Sequence, residues 1–206
     1  MYGVWHEWVI WLGCALLMGA AIKLMDDALD VNFDLERGRR TLAHQLGRAA
    51  LPYALVPAVI AVALDPSLAL SVFFGSYAVG MFTTWRDQLP SHLPGYVEIA
   101  LALGLSACLV GWRLALWGVA IMAVVDWLDD VMDLTGDTKS GQTNLAARIG
   151  FAETLLLTLV ALCVAVLTNA ALTAVVLVAV TALTIAAELT TKHLWKASDD
   201  DRGIGV

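Results

Sequence analysis

Apolar residues along this chain run in long blocks separated by short polar stretches, and the block lengths set the elements. The first block predicts a helix over residues 5–24, with Lys23 near its end able to carry its ammonium out to a headgroup region. Further blocks predict helices over 49–64, 67–85 and 96–112, with Pro57 as a kink in the second and a tight turn at Asp65-Pro66. Residues 86–94 form a polar loop holding two prolines and His92. A fifth helix begins near Leu114, but its uncharged part ends at Val125, too short to cross a hydrocarbon core of about 30 Å. It is therefore expected to continue through the acidic residues to Asp133. Between Glu153 and Glu188 lie 34 residues without a charge, about 51 Å of helix at 1.5 Å per residue. That is enough for two crossings, divided near Thr168-Asn169.

The pattern predicts an all-α, polytopic transmembrane bundle of about seven spans in a single integral membrane domain, 1–206, with a polar tail over 192–206. Composition strengthens this: 60% of the 206 residues are hydrophobic, 15% are charged, and mean hydropathy is +0.77. A soluble domain carries about 45–50% apolar and about 25% charged residues. A barrel would alternate polar and apolar positions, which these unbroken runs do not. Cys14, Cys108 and Cys163 each stand alone in an apolar block, with neither disulfide nor zinc spacing. The first block lacks a basic lead-in and a cleavage site, so it is expected to be a retained span.

Seven spans would place Lys23, Arg37, Arg39, Arg40, Arg48, Arg86, Lys139, Arg148, Lys192, Lys196 and Arg202 on one side and only Arg113 on the other. The positive-inside rule makes the crowded side cytoplasmic, with the N-terminus outside and the C-terminus inside, in a cell inner membrane. The net charge of −7 does not describe the general surface, because nine of the nineteen acids fall into two clusters. No nucleic-acid partner is implied.

Those clusters carry the candidate chemistry. Motif one covers 26–34, with Asp26, Asp27, Asp30 and Asp34; motif two covers 126–137, with Asp126, Asp129, Asp130, Asp133 and Asp137. Asp126, Asp130, Asp133 and Asp137 share one helix face, where each like-charged pair costs about 0.2–0.5 kcal/mol. Asp26, Asp27, Asp30 and Asp34 match Asp129, Asp130, Asp133 and Asp137 at a constant offset of 103. The same offset holds for Gly38/Gly141, Leu42/Leu145, Ala43/Ala146, Leu46/Ile149 and Gly47/Gly150. An ungapped register of this length reads as an internal duplication that builds one site from two similar halves. Paired carboxylates flanked by Arg and Lys suit Mg²⁺ bridging a diphosphate, since Mg²⁺ takes one or two carboxylates together with phosphate oxygens. Within a lipid-immersed bundle, the rest of such a substrate is a long apolar chain, which points to a prenyl diphosphate.

The residues also resemble a known family. Asp26-Asp27-x-x-Asp30-x-x-x-Asp34 is similar to the first aspartate motif of the UbiA superfamily of intramembrane prenyltransferases. Asp129-Asp130-x-x-Asp133-x-x-Gly136-Asp137, with Gly141 and the segment from Leu145 to Gly150, resembles its second. Trp85-Arg86 stands where that family carries a basic residue in a cytoplasmic loop. The resemblance spans most of the chain from Gly19 to Gly150. It departs at Asp26 and Asp129, where the family has Asn, at Arg40-Thr41 in place of Arg-Pro, and in having about seven spans against nine. It implies metal ligands at Asp26, Asp30, Asp34, Asp129, Asp133 and Asp137, with Asp30 and Asp133 essential to catalysis. It implies substrate contacts from Arg86, Arg40, Lys139 and Lys23, with Asp27 and Asp130 as supporting or alternate ligands. The implied reaction is Mg²⁺-dependent transfer of a prenyl group to a lipophilic or aromatic acceptor, with Trp85 and Trp127 as candidates to steady an allylic cation.

Two rival functions remain open on sequence. A membrane terpene cyclase would use the same site without an acceptor. A non-catalytic lipid- or metal-binding membrane protein would need no turnover at all, although a metal carrier should place carboxylates along a whole transbilayer path, and here they lie on one side. The plainer alternatives are a solvated helix face for either acidic cluster alone, an ordinary cytoplasmic anchor for Arg37, Arg39 and Arg40, and interface packing for Trp5, Trp8, Trp11, Trp112 and Trp117. His44 and His92 form no ligand spacing, and Asp199-Asp200-Asp201 reads as a solvated tail.

Overall fold

The computed structural model describes residues 2–36, 41–140 and 144–203, with side chains for 5–35, 41–136, 138 and 144–193. Its helices in chain order are α1 (Tyr2–Leu29), α2 (Val31–Glu36), α3 (Leu42–Leu46), α4 (Ala50–Leu64), α5 (Pro66–Gly80), α6 (Gly95–Val110), α7 (Trp112–Ser140), α8 (Leu145–Ile149) and α9 (Phe151–Gly203). A single 3₁₀ turn, Gly47–Ala49, links α3 to α4. Among the described residues there is no strand, only an isolated bridge between Gln88 and Pro94. The all-α expectation is met.

Three stretches are long and apolar enough to cross a membrane, Trp5–Leu29, Leu42–Leu64 and Phe151–His193, while Pro66–Gly80 and Gly95–Val110 are shorter apolar helices. Large apolar side chains cover the exterior, among them Leu55, Val59, Leu101, Leu105, Val160 and Leu167. A soluble protein rarely exposes so much contiguous apolar surface, whereas lipid tails solvate it at no cost. The fold is compatible with an integral membrane protein.

Several boundaries differ from those the pattern suggested. The helix expected over 67–85 ends at Gly80. From there the chain tightens into i→i−3 bonds, Phe82 N–H to the Val79 carbonyl and Thr84 N–H to the Met81 carbonyl. The loop then closes on itself, with Gly95 N–H reaching the Asp87 carbonyl and Tyr96 N–H the Trp85 carbonyl. These paired backbone groups outweigh continued helix at a Thr83-Thr84 pair, whose branched side chains lose rotamer freedom there. Helix α4 runs unbroken through Pro57. The fifth helix does continue through the second acidic motif, as its short apolar part required.

Chain reversals at the end away from the acidic motifs take one residue each. Asp65 lies in extended backbone (φ −148°, ψ 96°) between α4 and α5, and its carboxylate accepts the Leu68 N–H at 3.0 Å. Asn169 repeats that geometry within α9 (φ −158°, ψ 91°), with its Oδ1 accepting the Leu172 N–H at 3.1 Å. Both are side-chain N-caps, which let a new helix start without wasted donors. Gly111 joins α6 to α7 at φ 85°, a left-handed conformation that only glycine takes without penalty.

Contacts fix the direction of each half of α9. Leu145 N–H bonds to Asp130 near the acidic end of α7, yet Thr173 meets Trp117, thirteen residues further up the same helix. Residues 151–168 therefore climb away from the acids. Beyond Asn169, Leu183 packs against Gly19 of α1, seven residues before Asp26, so the second half descends again.

Helix α7 is the centre of the core. Trp117 is fully buried, and its Nε1–H donates to Thr173 Oγ1 at 2.9 Å; that hydroxyl donates in turn to the Asn169 carbonyl at 2.7 Å. Cys14, Met18, Leu68, Ile121, Ala165, Leu172 and Val176 pack in the same cluster. Next to Trp117, Gly118 lies directly on α5: a Cβ at Gly118 would stand 2.2 Å from the Ser71 carbonyl oxygen, and one at Gly75 would stand 2.4 Å from the Gly118 carbonyl oxygen. Ser71 and Gly75 form a small-x-x-x-small pair, the device by which helices approach closely in lipid.

Short helices α3 and α8 match each other at the offset of the acidic motifs. Each has five residues and ends at a glycine of positive φ, with Gly47 N–H on the Ala43 carbonyl and Gly150 N–H on the Ala146 carbonyl. Neither helix was anticipated as such.

Replacing Gly118 by Val should force α5 and α7 apart. Overpacking costs about 1–3 kcal/mol in a tight core, so detergent-solubilised Gly118→Val protein should show a lower midpoint of thermal aggregation than Gly104→Val, where nothing lies within 4 Å of the added atom.

Candidate functional site

The two acidic motifs meet at one end of the bundle. Motif one begins on the last turn of α1 and passes into α2 across a bend at Asp30. The backbone bonds continue through it, Asp30 N–H to the Asp26 carbonyl at 3.0 Å and Asp34 N–H to the Asp30 carbonyl at 2.9 Å. The aspartates therefore keep helical spacing despite the bend. Motif two lies on α7. Asp26 interacts electrostatically with Asp129, and Asp126 with Asp26, so charges a hundred residues apart in sequence come within reach of one another. Asp126 also interacts with Asp129 and Asp130 on its own helix.

Lys23 sits among these acids. Its Nζ lies 2.9 Å from Asp27 Oδ1, and it interacts with Asp26 and Asp129 as well. The Lys23 ammonium thus offsets part of the repulsion between the helices. Asp27, expected as a supporting ligand, is engaged as an ion-pair partner. Its counterpart Asp130 is engaged differently: its Oδ2 accepts the Leu145 N–H at 2.8 Å, and its backbone carbonyl accepts Asn144 Nδ2 at 2.8 Å. Asn144 then caps α8 through its own Oδ1, which accepts the Ala147 N–H at 3.0 Å. Asp130 therefore ties the turn after motif two back onto α7.

Asp30, Asp34, Asp129 and Asp133 all make interactions of their own. Among the described residues, no three His, Cys, Asp or Glu side chains converge as a ready-made metal cage. The side chains of Asp137 and Lys139, and the whole of Arg40, lie outside the described residues.

Arg86 sits in the ordered loop between α5 and α6, with its guanidinium 4.6 Å above the Trp85 ring. The loop rests on α7 through Phe82, whose ring centroid is 5.9 Å from that of Trp127, the neighbour of Asp126. At its other end the loop is held by Glu98, which accepts hydrogen bonds from Tyr77 Oη and Ser91 Oγ. Both tryptophans proposed to face a cation are thus already in ring contacts, Trp85 under Arg86 and Trp127 against Phe82. Thr83, Thr84, Trp85, Arg86, Asp87 and Arg148 line a cleft of about 560 Å³. Arg148 projects from α8 and donates to the Thr83 carbonyl.

Two residues of this end were not singled out from sequence. Asp126 has no role in the family resemblance, although it, like Asp129, interacts electrostatically with Asp26. Its register partner at the offset of 103 is Lys23, so the duplication itself held a signal: opposite charges at matched positions. Arg148 was counted only as a cytoplasmic charge. Nothing local marks it, because its place beside Arg86 depends on the fold of α8.

Asp130→Ala should loosen the turn from 144 to 149. A hydrogen bond to a charged group contributes about 1.5–3 kcal/mol, so the Leu145 amide should exchange with deuterium some ten- to a hundredfold faster, while amides around Trp117 keep their protection.

No family model, curated protein or solved structure matches this chain.

Proposed function

We propose that this chain is a Mg²⁺-dependent intramembrane prenyltransferase of the UbiA type, with about seven spans, two pseudo-repeated halves and its acidic end at the cytoplasmic face of a cell inner membrane. The observation that carries the reading is the meeting of Asp26 with Asp126 and Asp129 at one end of an apolar bundle. Neighbouring carboxylates repel, and a fold that holds them together at one end is suited to a divalent cation. The matched geometry of α3 with α8, each at the same distance from its motif, supports the duplicated halves. The apolar exterior and the three long apolar stretches support a lipid setting.

The donor set fits Mg²⁺ in kind, being all carboxylate oxygen. Mg²⁺ commonly uses one or two carboxylates and fills the rest of its octahedron with water and phosphate oxygens, so a site without a three-ligand cage among the described residues suits a metal that arrives with a diphosphate. Asp26, Asp30 and Asp34 from one side and Asp129, Asp133 and Asp137 from the other would hold it. When bound, it would neutralise charge on the departing diphosphate. Arg86 supplies bidentate donors to the same oxygens. The carbon–oxygen bond to the diphosphate breaks with its electron pair leaving on oxygen, and the resulting allylic cation bonds to a nucleophilic acceptor, which releases a proton. Asp130 and Lys23 act as supports, the former by fixing α8 and the latter by balancing Asp27.

Purified protein supplied with prenyl diphosphates of graded length should release diphosphate only when Mg²⁺ is present. Asp30→Ala and Asp133→Ala should each lower that release by a factor of about 10³ or more, as loss of a group acting on the transition state does. Full turnover in either variant would refute the site.

A further inference from the structure

We propose that this bundle thins the bilayer leaflet at the end away from its acids, and that the lipid it fits best has short acyl chains. The proposal rests on the lipid setting and not on prenyl transfer at the acidic end. The three chain reversals at the far end share one level. Gly118 lies on Ser71, seven residues from Gly111 and six from Asp65 on their own helices, and Trp117 meets Thr173, four residues beyond Asn169. At the other end, the contact of the Phe82 and Trp127 rings puts the loop after α5 level with the second acidic motif. Between these levels α5 has 15 residues, about 22 Å of helix, and α6 has 16, about 24 Å. A hydrocarbon core is about 30 Å thick, and any tilt shortens the reach of a helix further. The body of the bundle is thus too short by about 6–8 Å. Asp65, the exposed Arg113 and Asn169 stand at its far end, and charged groups there draw headgroups and water down to them.

Helix α1 measures the missing thickness. Cys14 Sγ donates to the Asp65 carbonyl at 3.5 Å, which places Cys14 level with the reversals. Trp5 lies nine residues further out, about 14 Å beyond that level. Residues 5–9 are exposed, and Trp5, Trp8 and Val9 are the large apolar side chains among them. From Trp5 to Asp26 the helix runs about 32 Å, the depth of an undisturbed core. Tryptophan favours the boundary between headgroups and chains, so the outer turns of α1 mark where that boundary lies beside the bundle. Thinning at the acidic end instead would lift Trp5, Trp8 and Val9 into water, which the hydrophobic effect opposes. The match between the length of this stalk and the shortfall of α5 and α6 identifies lipid as what surrounds it. The leaflet is therefore of full depth at α1 and falls away over the turns at Asp65 and Gly111. A leaflet bends to cover a short helix at modest cost, and shorter acyl chains remove that cost.

The test places full-length protein in phosphatidylcholine bilayers of graded chain length, from dimyristoleoyl to dierucoyl. Each lipid competes with brominated dioleoyl phosphatidylcholine, and quenching of the native tryptophans gives its relative binding. Myristoleoyl or palmitoleoyl lipid should bind best, with erucoyl lipid weaker by a factor of about three or more. A Trp5→Phe/Trp8→Phe variant keeps the stalk apolar and removes its reporters. The fluorescence it loses relative to wild type belongs to the stalk, and bromines close to the headgroup should quench that part most. A preference for oleoyl or longer chains, indifference to chain length, or a stalk signal that no brominated lipid quenches would overturn the proposal. Failure of the protein to co-float with vesicles of any chain length would remove the lipid setting itself, and the proposal with it. Diphosphate release is read separately, so loss of prenyl transfer leaves this result standing.

Discussion

Helix α7 can stand at the centre only because its neighbours come close to its backbone. In lipid there is no hydrophobic force to press helices together, so close packing and interhelical hydrogen bonds must do so. Two adjacent residues of α7 answer that demand in different ways. Gly118 removes its own side chain so that α5 rests on the backbone, and Trp117 fills the space beside α9 while placing its indole N–H on Thr173. Everything at the acidic end inherits its position from that grip, because motif two begins about two turns further along the same rigid rod.

From there the electrostatics become legible. Asp26 and Asp126 are brought together by helices whose packing is settled elsewhere, in the core that α1 and α7 share. The fold can thus carry an unfavourable local arrangement. Lys23 moderates it through Asp27, and Asp130 is tied by the Leu145 amide to the turn before α8. Of the two matched aspartates, one is paired with a cation and the other holds a backbone donor, so equal positions in a repeat do not imply equal roles.

The sequence was a good guide wherever one residue or one length decides the outcome. Asp65-Pro66 and Asn169 are strong helix starters, and both mark breaks; the short apolar part of the fifth helix forced its continuation into the acids, and α7 does continue. It was a poor guide where several weak bonds act together. Met81 to Trp85 carries no charge and reads as more helix, but the turn is set by backbone pairing with residues up to eleven positions later. Helices α3 and α8 are too short for periodicity to register and are held by glycine caps and by Asn144. Within the site, the motif spacing drew attention to both acidic arms, yet Asp126 and Arg148 gain their meaning only from what stands across from them.

The single-residue reversals at Asp65 and Asn169 bear on how the chain folds. A link that short leaves no slack, so α4 fixes the start of α5, and the same holds for the two arms of α9. Each pair therefore forms as one hairpin, with the hinge side chain already occupied by its own new helix.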